Sequence, residues 1–448
     1  MKPDLPVSED RRHPIRRVSF YTLGCKLNQA ETASIAALFA RRGYEVVPFH
    51  QPADLTYINT CTVTNEADAK SRQIIRQAVR ASPGGRVVAV GCYAQVKPEE
   101  VAALDGVDMV LGTHEKYQIF DLLDRLEGER RDQPLVRVTD TGDLETYDES
   151  PFISATSRTR AFLKVQEGCD YACSYCIIPM ARGRARSRPL ASCLSEVRRL
   201  VAEGFREVVL TGVNIGTWGD GAHRFHHLLA QVSDVAGLRR VRVSSIEPNL
   251  VTDELLKVVA GSENICPHFH VPLQHASDRI LRAMRRRYTM ADYRRIMDRI
   301  TAALPDAAIG ADVIVGFPGE TDADFQQLAD ALTRLPTTYH HIFRFSERTG
   351  TVAAKLTDPV DPVLRKERSA VLREISRKKK QTYAQRFIGQ IKEVYFEQSV
   401  KEGRWEGLTD NYLRVRVPVN GQRLEQTFQP VRLTGWEDSV LSGTVAGA

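Results

Sequence analysis

Between residues 159 and 360 the sequence alternates six apolar, β-branched runs with helical stretches, and this alternation restricts the chain to a parallel α/β architecture. The runs are "RAFLKVQEG", "EVVLTGVNI", "RRVRVSSIEP", "PHFHVPLQ", "AAIGADVIVGF" and "TYHHIFRFS". Helices are expected at "SCLSEVRRLVAEG", "HRFHHLLAQVSDVAG", "DELLKVVAGS", "ADYRRIMDRITAAL" and "DADFQQLADALTRL". Six parallel strands with helical crossovers form a doubly wound sheet or a partial (β/α) barrel. Either fold carries its working loops at the strand carboxyl ends.

An earlier segment, residues 18–139, repeats the scheme with the strands "VSFYTLGC", "TYINTCTV" and "RVVAVGCY". Each ends in a cysteine: Cys25, Cys61 and Cys92. Each cysteine follows its apolar run and stands beside Gly, Asn or Thr, which is not where core cysteines belong. Because parallel strands share one carboxyl edge, the three are expected to converge there. A polar, turn-rich stretch at 140–158 reads as a linker. Residues 363–380 form a basic connecting helix. Short runs broken by Gly and Asn over 381–448 suggest a small antiparallel barrel.

No apolar run approaches the roughly 20 residues that span a bilayer. The opening "MKPDLPVSEDRRHPIRR" lacks the apolar core of a signal peptide. Residues 1–17 therefore read as a flexible tail of a cytoplasmic protein. In a reducing compartment the eight cysteines are ligands, catalysts or core residues rather than disulfides. The net charge of +6 is modest but concentrated, with ten Lys or Arg against two Glu between Arg365 and Lys392. That run is either a solvated helix face or a nucleic-acid contact.

The loop after the first of the six strands carries Cys169, Cys173 and Cys176, spaced C-x3-C-x2-C. Structural zinc takes four ligands, and no fourth Cys or His lies in the loop. Cys193 follows 17 residues on in a helix, and it and Cys266 read as core residues. A four-iron cluster also normally takes four thiolates; held by three, it leaves one iron open to a substrate atom.

With Tyr175 before its last cysteine, this motif resembles that of the radical S-adenosylmethionine (SAM) enzymes. The resemblance implies an open iron that chelates SAM, and reductive cleavage of SAM to a 5′-deoxyadenosyl radical. It places Tyr175 beside the SAM adenine. "TGVNIGTWG", "SSIEP", "HVPLQHASDRILRAMRRRYT" and "DVIVGFPGET" are similar to further landmarks of the methylthiotransferase branch. From these motifs Gly212, Asn214, Glu247 and Gln274 are candidate SAM contacts, and Asp312 could be structural. The branch has a second four-iron cluster, which "GCKLNQAE", "NTCTVTNEAD" and "GCYAQ" assign to Cys25, Cys61 and Cys92. It also has a C-terminal RNA-binding TRAM barrel. The expected fold is thus multidomain α/β: an N-terminal parallel α/β domain at 18–139, a central partial (β/α)6 barrel at 159–362, and a TRAM-like β barrel at 381–448.

"TLGCKLNQAE" looks like the type that acts on threonylcarbamoyladenosine in tRNA, with Ala30 departing from a usual Tyr. The implied reaction adds a methylthio group at C2 of that adenine, with one SAM as methyl donor and another as radical source. Catalytic residues beyond the clusters are not indicated. The resemblance implies tRNA and an electron donor such as a flavodoxin or ferredoxin as partners, and leaves the sulfur source open. Alternatives are the isopentenyladenosine type, the type modifying a ribosomal-protein aspartate, and a non-catalytic zinc-dependent RNA-binding protein. Arg182, Arg184, Arg186 and Arg188 alternate with small residues, so an extended segment would turn all four to one face, toward tRNA phosphates. Arg285, Arg286 and Arg287 form a second candidate patch, and Lys378, Lys379 and Lys380 a third. The histidines of "HRFHH" and "HFH" are expected in core or surface roles.

Overall fold

The computed structural model describes residues 15–126, 130–147, 159–401, 403–419 and 421–446. Of the expected tail, residues 1–14 lie outside these. Ile15 is buried, and the Arg16 and Arg17 N–H groups donate to Asp54 Oδ2, each at 2.8 Å. Of the expected linker, 148–158 lies outside the described residues, while Thr141–Asp143 forms a single turn capped by Asp140. The chain divides into two compact units. One comprises Met1–Thr156, Gly168–Tyr171 and Cys176–Arg186; the other comprises Ser157–Glu167, Ala172–Tyr175 and Ser187–Ala448.

The first unit is built on β1 (Arg17–Thr22), β2 (Glu45–Val47), β3 (Leu55–Thr60), β4 (Arg86–Gly91), β5 (Met109–Leu111) and β6 (Leu135–Arg137). All pair parallel in the order β2-β1-β3-β4-β5-β6. The helices that bear on the site are α1 (Lys26–Arg41), α2 (Asn65–Ala81), α3 (Cys92–Val96) and α4 (Ile178–Arg182). Thr64 starts α2 by accepting the Ala67 N–H, with Glu66 and Asp68 in the first turn favouring the positive end of the helix dipole. Alternate strand residues feed two apolar layers. Val18, Tyr57, Val88 and Met109 pack on one side, and Ile58, Val87, Ala89 and Val110 on the other. Burial on both faces explains why these strands read as continuous apolar runs.

In the second unit β7 (Ala161–Lys164), β8 (Glu207–Thr211) and β9 (Arg240–Val243) form one parallel sheet, and β10 (His268–His270), β11 (Ala308–Val315) and β12 (Tyr339–Arg344) another. Parallel bridges Val241↔Ile265 and Ser245↔His270 join the two into a six-stranded arc, a partial barrel. The crossover helices are α5 (Leu190–Ala202), α6 (Phe225–Ser233), α7 (Asp253–Ala260), α8 (Asp278–Ala283), α9 (Met290–Ala303) and α10 (Asp322–Arg334). Reciprocal capping boxes start α9 at Thr289 and α10 at Thr321. The basic segment lies within one 24-residue helix, α11 (Pro362–Gln385), started by Asp361 and by Pro at its first position.

The chain ends in a closed barrel of β13 (Ile391–Lys401), β14 (Arg404–Thr409), β15 (Arg414–Pro418), β16 (Phe428–Glu437) and β17 (Val440–Val445), ordered β13-β14-β15-β17-β16. Val394, Phe396, Val415, Leu433 and Leu441 fill it. Within this unit Arg242, its side chain 2% exposed, donates to the Thr409 and Asp410 carbonyls at 2.7 and 2.9 Å and pairs with Glu207 at 2.7 Å. Arg242→Ala would leave the Glu207 carboxylate, 0% exposed, without that partner. The expected loss is about 3–5 kcal/mol of stability, the usual cost of breaking a buried ion pair. Thermal unfolding followed by circular dichroism checks it, and Arg242→Met with Glu207→Gln should recover most of the loss.

Candidate functional site

β1, β3 and β4 are neighbours in the first sheet, so the turns after them stand side by side. Cys25 caps α1, Cys61 follows β3 and Cys92 opens α3. Two glycines make the approach possible. Gly24 has φ +92°, and a Cβ there would stand 2.8 Å from Cys61 Sγ. Gly91 has φ +91°, and a Cβ would stand 2.3 Å from Asn59 Oδ1. Burial, with Cys92 and Cys25 nearby, pushes the Cys61 thiol up to about 12. Burial raises the Cys92 thiol too, against the pull of Arg182. Cys25 is exposed while Cys61 and Cys92 are buried, and a bound metal would favour the thiolate forms that burial opposes at Cys61 and Cys92.

Arg182, at the end of α4, belongs to this site. Its side chain is 1% exposed, with Nε 3.3 Å from Cys92 Sγ and Nη2 2.7 Å from Asn28 Oδ1. Nη1 and Nη2 donate to the Glu31 carboxylate at 2.9 and 3.1 Å, and Lys116 Nζ donates to it at 2.7 Å. Glu31 and Lys116 are each 0% exposed. Two buried cations thus meet one carboxylate, and one of them, Arg182, also touches Cys92 Sγ.

The expected arginine strip is therefore corrected. Arg182, Arg186 and Arg188 are buried, and of the four only Arg184 projects into solvent, 3.3 Å from Asp170. The segment is not extended: α4 ends at Arg182, and Gly183 follows with φ +69°, so period-two spacing does not hold. The second patch divides as well. Arg285 and Arg287 are exposed, but the Arg286 side chain is 2% exposed. In the third, Lys378 is exposed, Lys379 Nζ donates to the Thr333 and Leu335 carbonyls at 3.1 and 2.5 Å, and Lys380 Nζ reaches the Ser439 carbonyl at 3.3 Å.

The loop of Cys169, Cys173 and Cys176 is held from several sides. The Cys169 N–H donates to the Gly183 carbonyl at 3.0 Å. The next residue after Cys173, Ser174, donates its N–H to Met284 and accepts the Ala353 N–H, at 3.0 and 2.7 Å. Arg286 Nη1 lies 3.1 Å from Cys173 Sγ and 3.5 Å from the Tyr175 hydroxyl, and Nη2 pairs with Glu247. Burial raises the Glu247 carboxyl above its usual range even with Arg286 pulling it down. Tyr175 packs beside Met284, Phe317 and Phe345.

The other candidate residues are local to the strand ends of the second unit. Gln166 Oε1 accepts the Val213 and Asn214 N–H groups at 2.9 and 2.8 Å, fixing the turn after β8. Gly212 is required there, because a Cβ would meet the Gln166 side chain at 2.9 Å. Gln274 has φ +61°, a strained conformation for a non-glycine residue, held by its N–H to the Asp312 carbonyl and its carbonyl to the Ile314 N–H, both 2.8 Å. Cys193 and Cys266 are buried.

His270, Asp312 and His341 gather their ligand atoms within 4.8 Å of one another, the one such trio of His, Cys, Asp or Glu among the described residues. Cys25, Cys61 and Cys92, all in the first unit, are not that tight. A single zinc ion would draw its sulfurs to within ~4 Å, whereas a four-iron cube seats each thiolate on a separate iron. That thiol set fits an iron–sulfur cluster better than zinc.

The family model for the Radical SAM superfamily matches residues 163–332, and that for Uncharacterized protein family UPF0004 matches residues 17–112. The chain is 41% identical over 405 residues to Threonylcarbamoyladenosine tRNA methylthiotransferase MtaB of Bacillus subtilis (strain 168), covering 89% of each. It is 40% identical to the protein of that name from Aquifex aeolicus (strain VF5), covering 89% of this chain and 96% of the relative. It is 32% identical to tRNA-2-methylthio-N(6)-dimethylallyladenosine synthase of Cereibacter sphaeroides (strain ATCC 17029 / ATH 2.4.9), covering 97% and 99%. Among solved structures, the radical S-adenosylmethionine methyltransferase TsrM from Kitasatospora setae shares the fold, with a TM-score of 0.55 at 18% identity over 74% of this chain and 75% of that one. No helix among the described residues is long and apolar enough to cross a membrane. Its paired cysteine trios and its identity to these relatives along most of its length make the chain an enzyme of the radical SAM methylthiotransferase family.

Proposed function

We propose that the protein adds a methylthio group to C2 of N6-threonylcarbamoyladenosine beside the anticodon of tRNA, using one SAM as methyl donor and another as radical source. The observation that carries this reading is the graded identity: 41% and 40% to relatives named for threonylcarbamoyladenosine, against 32% to one named for dimethylallyladenosine. Cys169, Cys173 and Cys176 would hold one four-iron cluster, and Cys25, Cys61 and Cys92 the other. When bound, the first supplies an open iron for SAM and the electron that cleaves its sulfonium.

The protein's own groups position these partners. Arg286 contacts both Cys173 and Glu247, so these side chains are tied to each other before SAM enters. Gln166 presents the 212–214 turn with its backbone fixed, and Tyr175 offers a ring next to the third cysteine. In the first unit Arg182 supplies the positive charge that three thiolates require. Lys378, Lys380, Arg285, Arg287 and Arg184 are the exposed cations from the expected patches, and so the ones that tRNA phosphates could reach. An electron donor such as a flavodoxin or ferredoxin completes the reaction.

Nucleoside analysis of tRNA from a strain lacking the gene tests the substrate. Loss of the 2-methylthio threonylcarbamoyl nucleoside is expected, and an unchanged level refutes the reading. Anaerobic reconstitution should give about eight irons per chain. Changing Cys25, Cys61 and Cys92 to Ala should leave about four, and colourless protein binding zinc would favour the non-catalytic alternative.

A further inference from the structure

The inner face of the second unit's partial barrel is polar across three adjacent strands. In β10–β12, His270 pairs with Gly310, Gly310 with Tyr339, and Asp312 with His341. Parallel register therefore puts His268, His270, Asp312, Tyr339 and His341 on one face. The alternate residues Ile309, Ala311, Val313 and Val315 are buried on the other, where the His340 N–H donates to Ser376 of α11 at 2.8 Å. A barrel interior that serves only stability is filled with branched aliphatic side chains. This one is not. Gly310 opens the space in which Tyr339 lies, since a Cβ there would strike the ring at 2.2 Å. The Tyr339 hydroxyl then reaches His268 Nε2 at 2.8 Å and His270 Nδ1 at 3.5 Å.

His270 Nε2 lies 2.9 Å from Asp312 Oδ1, and the His341 ring stacks on His270 at 5.3 Å between centroids. Burial acts to raise the Asp312 carboxyl, but His270, His341 and Arg286 hold it below its usual range. Asp312 is thus an anion matched by His270, while His341 is exposed on the same face. Arg286, which touches Cys173, is close enough to act on Asp312, so this polar group lies at the cysteine-loop end of the strands.

Resting on the substrate reading above, we infer that His270, Asp312 and His341 select the side group of the target adenine, with His341 donating to its carboxylate and Asp312 accepting from its hydroxyl or urea N–H. A threonylcarbamoyl arm offers all of these groups. A hydrocarbon arm offers none, and would set apolar surface against three polar side chains. Sites built to hydrogen-bond a substrate reject analogues that lack the partner far more strongly than apolar pockets reject an extra group. His341 is the specificity-determining residue because it is the exposed member of the three, while the Asp312 side chain is 26% exposed and that of His270 is 10% exposed.

The test uses reconstituted full-length protein and anticodon stem-loops carrying threonylcarbamoyladenosine, its carboxylate methyl ester, or isopentenyladenosine. Binding is read by fluorescence anisotropy and turnover by kcat/KM. Wild type should prefer the free carboxylate, and His341→Phe should weaken that RNA by about 10- to 100-fold, the equivalent of one hydrogen bond to a charged group, while leaving the ester unchanged. His341→Asn, which keeps a donor, should recover part of the preference, and iron content confirms that both variants fold. If wild type acts on the isopentenyl RNA instead, the substrate reading fails and this inference with it. A threonylcarbamoyl preference that persists in His341→Phe overturns the inference alone. About one non-cluster metal ion per chain, lost in His341→Phe, would also overturn it, since two His and one Asp are a metal donor set.

Discussion

Arg182→Gln is expected to halve the iron bound on anaerobic reconstitution, from about eight to about four per chain. On the cluster assignment proposed above, three thiolates around a four-iron cluster would bring excess negative charge to buried Cys61 and Cys92, where Arg182 and Lys116 are buried cations. Lys116 is committed to Glu31 at 2.7 Å, so Arg182 supplies the charge that remains. Glutamine removes that charge and the Nε contact to Cys92, yet Glu31 keeps Lys116 and is not orphaned. The fold should therefore survive while the cluster does not. A cleaner form of the measurement removes the other site first: with Cys169, Cys173 and Cys176 changed to Ala, about four irons should remain, and adding Arg182→Gln should take them away or shift the cluster's reduction potential downward. Unchanged iron and unchanged potential in that background would show that Arg182 is only a structural tie. Glu31→Gln provides the opposite perturbation, leaving two buried cations facing each other without their carboxylate, and should destabilise the protein itself.

The contrast between Arg182 and the cysteines shows what the sequence could carry. Cys25, Cys61 and Cys92 were legible because each is local to a strand end, and parallel topology alone brings strand ends together. The six-strand alternation announced six parallel strands for the same reason, since apolar period and crossover length are local properties, but it left a doubly wound sheet and a partial barrel equally open. Arg182 was misread because alternation of Arg with small residues implies a face only where the backbone is extended. Here α4 and the positive φ of Gly183 intervene, and the glycine is the sequence signal: a Cβ there would stand 2.5 Å from the Thr141 carbonyl. Arg286 sits in a run of three arginines that differ only in burial, which no run of like residues can disclose. His270 and His341 are 71 positions apart and meet through strand register, which the sequence does not display.

Arg286→Met is expected to cost about 2–4 kcal/mol near neutral pH, because it leaves the Glu247 carboxylate, its side chain only 17% exposed, without its cation. The pH dependence identifies the cause. Burial already raises the Glu247 carboxyl above its ordinary 4.5, and Arg286 is the largest influence holding it down. Removing Arg286 lifts it further. Between the unfolded and folded values the native state binds more protons than the unfolded state, so stability falls as pH rises through that window. The variant should therefore lie closer to wild type near pH 4.5 and fall progressively behind it toward pH 8. Asp312 responds with the opposite sign: its folded value is depressed, so its contribution is present above its ordinary 3.8 and is lost in acid. Replacing Glu247 with Gln in the Arg286→Met background removes the buried charge and should flatten the slope while recovering most of the stability. Unfolding midpoints of the cluster-free protein at several pH values separate these cases. A loss that is independent of pH, or that Glu247→Gln fails to relieve, would assign the cost to packing around Tyr288, which Arg286 Nε also meets at 3.2 Å, rather than to the unpaired carboxylate.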